Sequence, residues 1–336
     1  MWIGDFVRCH SVVQVLRQRW PSRPVDVLTN TLTLPLIDYM PGVRKGIVSD
    51  LPRKRLPMRK HRELARRLKA EAYGTALIMP RTWKAALAPC LAGVPERVGF
   101  FGEVRLGLLN DIRWGERALP RMIDQCASLA LPRGSSLPDK WPAPRLEVPL
   151  LDIEGWRTRR QLRDGSPVVA FAPGAVGSSK RWPLEHYAEL ARKLGESGYA
   201  VWILGGPAEA ELAREIAQLS GRTATDLTGP DLRDAVLGLA AADLAVSNDS
   251  GLLHVAAAIG TPTIGIFGPT SSWHWAPLNP LAGTVQLPVP LPCQPCHKPA
   301  CRLVHHKCMR DLPAEDVLAL VRRVMPMPSA PLVAAF

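Results

Sequence analysis

Two periodicities alternate along the chain. Residues 6–20 place apolar side chains at Phe6, Val12, Val13 and Leu16, a helical spacing, and Pro21 closes the run. Residues 25–28 (Val-Asp-Val-Leu) read as a short strand, 58–72 as a basic helix, 76–79 as a buried strand stopped by Pro80, and 83–91 as a helix ahead of a Gly93-Val94-Pro95 turn. Prolines then recur at 132, 138, 142, 144 and 149 around Gly134-Ser135-Ser136, which marks a linker. Beyond it the alternation resumes. Strands are expected at 168–171, 199–204, 244–246 and 263–267, and helices at 183–196, 208–219, 231–242 and 250–259. Strands separated by helices and short loops build parallel sheets covered on both faces. The pattern occurs twice, so the expectation is an α/β protein of two doubly wound, Rossmann-like domains facing a central cleft. The domains would span 1–150 and 151–325, followed by a Pro/Ala-rich tail at 326–336.

Length supports the division, because 336 residues exceed what one ordinary core accommodates. A chain 47% hydrophobic and 21% charged is globular, not disordered. No apolar run reaches the roughly 18 residues of a membrane span, and 243–267 is broken by Asn248, Asp249, His254 and Pro262. Met1-Trp2-Ile3-Gly4-Asp5 does not open a signal peptide, so a cytoplasmic protein is expected.

Charge adds a partner class. The net +12 lies entirely in the first half: residues 1–150 hold 25 Lys+Arg against 13 Asp+Glu, and residues 151–336 hold 17 of each. Residues 44–69 alone carry eleven basic side chains against Asp50 and Glu63. Such a block attracts polyanions: a nucleic acid, an anionic membrane face or a phosphorylated substrate. A solvated helix face accounts equally well for Arg62, Arg66, Arg67 and Lys69. Nucleic acid is disfavoured, since the block has no interleaved aromatic residues and no recognised module.

Ligands of open parallel sheets bind beyond the C-terminal strand ends. The strand at 168–171 runs into Ala172-Pro173-Gly174-Ala175 and then Gly177-Ser178-Ser179-Lys180-Arg181-Trp182-Pro183. Exposed amides, a helix start and Lys180 together suit a phosphate group. The strand at 244–246 runs into Ser247-Asn248-Asp249-Ser250-Gly251-Leu252-Leu253-His254. Asp249 there can accept from sugar hydroxyls, and His254 lies one turn into the following helix, although capping and a core histidine explain the same residues. Gly205-Gly206 adds a close backbone approach. No GxGxxG or GxxxxGK[ST] pattern occurs, which leaves a dehydrogenase or P-loop enzyme without support. Seven cysteines in a chain with no leader read as reduced thiols. Cys293, Cys296, Cys301 and Cys308 have a spacing able to close a structural zinc site, with free or paired thiols as the alternative.

These motifs, in this order, resemble glycosyltransferase family 9, the lipopolysaccharide heptosyltransferases. The resemblance rests on Trp2-Ile3-Gly4-Asp5, Gly107-Leu108-Leu109-Asn110-Asp111, Pro173-Gly174-Ala175, Lys180-Arg181-Trp182-Pro183, Leu227-Thr228-Gly229, the Asn248-Asp249-Ser250-Gly251-x-x-His254 run and Phe267-Gly268-Pro269-Thr270. It implies a GT-B fold and metal-independent, inverting transfer of heptose from ADP-heptose to a heptosyl-Kdo2-lipid A acceptor. Asp5 is then the catalytic base and Lys180 offsets charge on the departing ADP. Donor contacts fall to Gly174, Ser178, Ser179, Lys180, Gly205, Gly206, Thr228, Gly229, Asp249, Ser250, Gly251, Leu252 and His254. Gly4 with Arg53, Lys54, Arg55 and Arg59 would meet the anionic acceptor, in peripheral contact with the cytoplasmic face of the inner membrane. The alternatives inside this class are another heptosyltransferase or a nucleotide-sugar epimerase. The resemblance also implies an apolar strand ahead of the Gly4-Asp5 turn. Four residues cannot supply it, so either the start is placed too late or the first sheet lacks its central strand.

Overall fold

A computed structural model describes residues 2–52, 55–162 and 165–326. The chain divides into two compact units, residues 1–145 and 146–336. The boundary falls inside the proline-rich stretch, because Leu146 is buried and donates its amide to Ala258 O at 2.8 Å.

In the first unit, α1 (Ile3–Arg8) and α2 (His10–Arg19) precede β1 (Val25–Thr29), which pairs in parallel with β2 (Val43–Val48). Helix α3 (Met58–Ala70) leads to β3 (Thr75–Leu77), and α4 (Trp83–Leu91) leads to β4 (Glu96–Phe100) and β5 (Asp111–Arg113). The unit ends with α5 (Met122–Ala127). Helix α3 forms because His61, Leu64, Ala65 and Leu68 share one face and are buried, while Arg59, Lys60, Arg62, Arg66, Arg67 and Lys69 stay on the exposed face.

The strands of this unit form two sheets, β1-β2 and β3-β4-β5. The two are fastened side by side. Ile47 of β2, Leu64 and Leu68 of α3, Ala88 of α4 and Ala76 of β3 share one apolar cluster. Tyr73, just ahead of β3, donates its hydroxyl to Asp26 on β1. Burial works against ionisation of Asp26, but the Arg44 guanidinium and the Tyr73 hydroxyl hold its carboxyl below the usual range. Among the described residues no strand joins β1 to β3, and Gly4 and Asp5 lie within α1 instead of in a turn after a strand. Strands β1 and β3 consequently stay half-buried, and Leu28 of β1 is exposed.

The second unit contains one six-stranded parallel sheet in the order β11-β10-β9-β6-β7-β8. Its elements are α6 (Leu150–Arg159), β6 (Val168–Ala172), α7 (Leu184–Glu196), β7 (Ala200–Ile203), α8 (Ala210–Leu219), β8 (Ala224–Asp226), α9 (Leu232–Ala241), β9 (Leu244–Asn248), α10 (Gly251–Ile259), β10 (Thr263–Ile266), β11 (Ala282–Val285), α11 (Lys307–Arg310) and α12 (Ala314–Val324). Every residue of β6, β9 and β10 is buried, as helices on both faces require. Tyr187, Leu190, Ala191 and Leu194 of α7 recur at helical spacing and pack with Val317, Leu318 and Val321 of α12 over β6 and β9. Each fully buried Leu or Val there contributes about 1.5–3 kcal/mol. The chain winds outward from β6 through β7 and β8, then returns beside β6 as β9. The crossover between β6 and β9 is where an open sheet leaves a crevice at its C-terminal edge.

Candidate active site

The crossover is built around Asn248, the last residue of β9, which is fully buried. Its side-chain amide donates to Pro173 O at 2.6 Å, just past β6. Its oxygen accepts the Trp182 amide at 3.1 Å and the Tyr187 hydroxyl at 3.2 Å. One side chain thereby fastens the loop after β6 and the segment after Lys180 to the end of β9. The Trp182 indole is held from the other side by Leu312 O at 2.9 Å. Burial pushes the Tyr187 phenol well above its usual pKa, so it stays a neutral donor to Asn248.

Between these anchors Lys180 reaches Asp249. The Lys180 Nζ lies 2.8 Å from Asp249 Oδ2, and Thr270 donates its hydroxyl to the same oxygen at 2.8 Å. Asp249 is 5% exposed, whereas the Lys180 side chain is 28% exposed. The cation can therefore reach a ligand in solvent while its carboxylate partner stays behind it. His254 Nε2 stands 3.9 Å from Asp249 Oδ1, beyond a direct hydrogen bond. Ser250 takes the extended N-cap conformation, and Gly251 and Leu252 open α10, so the unpaired amides of its first turn add positive potential beside Lys180.

Other expected donor residues lie on the same edge. An added Cβ on Gly174 would sit 2.7 Å from the Glu209 side chain, and one on Gly205 2.8 Å from it, so both glycines pack closely against that residue. Glu209 also accepts the Gly206 amide at 2.9 Å. Thr228 and Gly229 follow the edge strand β8. The Thr228 amide and hydroxyl both donate to Asp226, and the Gly229 amide donates to Gly205 O. Ser178 is exposed. Ser179 is buried; its amide donates to Pro299 O at 3.2 Å and its hydroxyl to Lys298 O. It anchors the loop that carries Lys180.

Asp5 and Gly4 stand in the first unit, in the first turn of α1, where Arg8 Nη2 approaches Asp5 Oδ1 at 3.7 Å. Arg55 and Arg59 are exposed at the start of α3, while Arg53 and Lys54 lie outside the described residues. Cys293, Cys296, Cys301 and Cys308 are free thiols, and among the described residues no three His, Cys, Asp or Glu side chains are placed to hold a metal ion. Burial, with the neighbouring thiols Cys296, Cys301 and Cys293, pushes Cys308 up to about 11.

Four participants escaped the sequence reading of the site. Asn248 and Thr270 stood inside motifs that carried the family resemblance, but nothing in a linear pattern says that they grip Pro173 or Asp249. Glu209 gave no signal beyond its neighbouring glycines. His297 lies within the cysteine-rich stretch and donates its amide to Pro269 O at 2.8 Å. Burial, then His274 and Lys180, hold its imidazole below the ordinary 6.5, which places it near the Lys180–Asp249 pair.

Known proteins resemble this chain over most of its length. Residues 61–307 match the model of glycosyltransferase family 9 (heptosyltransferase). Lipopolysaccharide heptosyltransferase 2 of Escherichia coli K12 is 34% identical over 305 residues, covering 85% of this chain and 86% of that protein. Its Salmonella typhimurium counterpart is 35% identical over 298 residues, with the same two shares. The solved structure of E. coli ADP-heptose lps heptosyltransferase II superposes with a TM-score of 0.84 at 31% identity, covering 96% of each chain. A parallel α/β architecture, a lysine–aspartate pair at the sheet crossover and matches over most of the chain converge on one conclusion: the protein is a GT-B glycosyltransferase and belongs to glycosyltransferase family 9, the heptosyltransferases.

Proposed function

We propose that the protein transfers heptose from ADP-heptose to the heptosyl-Kdo2-lipid A inner core during lipopolysaccharide core assembly. The second unit holds the donor and the basic first unit holds the acceptor. The observation that carries the donor assignment is the Lys180–Asp249 pair at the β6/β9 crossover, with a half-exposed cation in front and a buried carboxylate behind.

The chemistry follows from few groups. The acceptor hydroxyl attacks the anomeric carbon of heptose from the face opposite ADP. Asp5 takes the hydroxyl proton, the new glycosidic bond forms, and the bond from the anomeric carbon to the phosphate oxygen breaks with its electrons leaving on ADP. Lys180 and the first-turn amides of α10 stabilise the charge gathering on that oxygen. Thr270 and Asp249 hold Lys180 in place, and Glu209, packed against Gly174, Gly205 and Gly206, offers its carboxylate to hydroxyl groups of the donor. Arg55 and Arg59 meet phosphates and carboxylates of the acceptor at the membrane face.

Mass spectrometry of the product made from ADP-heptose and purified truncated core tests the reading. An added heptose on the heptosyl-Kdo2 acceptor is expected. Addition to the acceptor that lacks heptose would instead assign the first transfer, and an unchanged acceptor mass, with ADP-heptose intact or hydrolysed to ADP and free heptose, would overturn the transferase reading.

A further inference from the structure

The cysteine-rich segment ahead of α12 folds back onto the two loops that carry Lys180 and Thr270. Gln294 donates its side-chain amide to Gly268 O at 2.6 Å, and the His297 amide donates to Pro269 O at 2.8 Å. On the Lys180 side, Pro299 O accepts the Ser179 amide at 3.2 Å and Lys298 O accepts the Ser179 hydroxyl. The packing there is close: a Cβ on Gly177 would sit 2.8 Å from Pro299 O. His306 completes the hold on Ser179, with Nε2 at 2.7 Å from Ser179 O. A carbonyl oxygen can only accept, so this Nε2 carries the proton.

These bonds form a bracket around Lys180. Ser179, just before it, commits its amide, hydroxyl and carbonyl to Pro299, Lys298 and His306. Trp182, just after Arg181, is held by Leu312 O at 2.9 Å and by Asn248 at 3.1 Å. His306 and Leu312 flank α11, a short piece fixed in the core. Its fully buried Met309 donates its amide to His306 O at 3.1 Å, and the Arg310 amide donates to the same oxygen at 3.0 Å. His306 has a φ of +52°, a left-handed conformation that glycine takes without strain. The bond from its ring to Ser179 gives a histidine at this place a use that glycine lacks.

We infer that His306 is a positioning residue of the donor site: through Ser179 O it fixes the loop that sets Lys180 in front of Asp249, ready for the diphosphate. The Lys180 side chain is 28% exposed, so packing around its tip cannot hold it. Its placement depends on the backbone from which it extends. A cation already in place needs no reordering when charge develops on the leaving group. The inference deepens the proposed function and rests on its assignment of Lys180 to the diphosphate. His306 acts through Ser179 and Lys180, without touching substrate.

Calorimetric titration of the full chain with ADP, over a cycle of His306 and Lys180 variants, tests the inference. Glycine suits the left-handed backbone, so His306→Gly removes the ring without adding strain, and thermal unfolding checks the fold. ADP affinity should fall about 3–10-fold in His306→Gly, and His306→Gln, which keeps a side-chain N–H, should recover most of the loss. In the Lys180→Ala background the same His306→Gly change should matter less than about twofold. A general loosening of the unit would weaken binding equally with or without Lys180. In turnover, kcat should fall and the KM for ADP-heptose rise, while the acceptor KM stays unchanged. Proton–nitrogen correlation spectra of the wild-type protein with labelled histidine give a readout that needs no loss of function. The His306 signal, identified by its absence from His306→Gln, should show the proton on Nε2. A bare Nε2, an ADP affinity of His306→Gly within about twofold of wild type, equal losses in the Gly and Gln variants, or an undiminished loss in the Lys180→Ala background would each overturn the inference alone. Unchanged ADP affinity in Lys180→Ala would overturn the donor reading itself, and this inference with it.

Discussion

Replacing Lys180 by alanine tests the donor site most directly. The wild-type lysine has two states to serve: it neutralises Asp249 at 2.8 Å in the free protein and contacts the diphosphate in the complex. A charge-assisted hydrogen bond is worth about 1.5–3 kcal/mol, which is roughly 10–150-fold in Kd. Part of this is lost, because ADP must compete with Asp249. The alanine variant adds an opposing effect, since Asp249 is left buried, accepting from the Thr270 hydroxyl, and faces the diphosphate without the cation. Two unit charges about 5 Å apart repel by about 3 kcal/mol at an effective dielectric of ~20. The expected outcome of Lys180→Ala is therefore a weakening of ADP binding towards the upper end, roughly 100-fold. Adding Asp249→Asn should recover part of that loss, because it removes the repulsion without restoring the cation. Isothermal titration with ADP reads all four proteins of the cycle, with thermal unfolding as a check on folding. A Kd for Lys180→Ala within about twofold of wild type, or an Asp249→Asn addition that weakens binding further, would refute the phosphate role.

Asp5→Asn should lower turnover by about 10²–10⁴-fold while leaving ADP affinity nearly unchanged, as measured by single-turnover kinetics beside titration. Asn248→Ala should destabilise the second unit by about 2–4 kcal/mol, since three partners lose one buried side chain, and denaturant unfolding followed by tryptophan emission reads this. His61 is buried, and burial, then Lys84, hold its pKa below 6.5, so the unfolded chain binds more protons near that value. Stability of the first unit should therefore be complete above about pH 6.5 and fall on acidification, and His61→Leu should flatten that dependence in urea midpoints taken across the range.

The alternation of strands and helices was legible because burial imposes it locally. A strand such as Val168–Ala172 sits between helices on both faces and must be apolar throughout, and α3 needs one apolar stripe and tolerates any charge elsewhere. The linker declared itself through its prolines, and the charge asymmetry required only counting. Lys180 and Asp249 were found because each follows a strand end, where a parallel sheet presents its ligand edge. Strands β2, β4, β5, β8 and β11 were not found. Their partners, more than their own side chains, make them strands, and Glu96–Phe100 or Ala224–Asp226 carries too little apolar pattern to announce one.

The crossover network lay beyond any linear pattern. Asn248 and Pro173 are 75 positions apart, Asp249 and Thr270 21, and Trp182 and Leu312 130. Ser179 is another case: a serine beside a lysine in a loop suits a phosphate, and no spacing reveals that its hydroxyl and amide also donate to Lys298 O and Pro299 O. Local sequence sets which face of an element is buried, because that depends on neighbours a few residues away. Hydrogen-bond partnership depends on which distant backbones the packing brings within about 3 Å, and packing is a property of the whole unit.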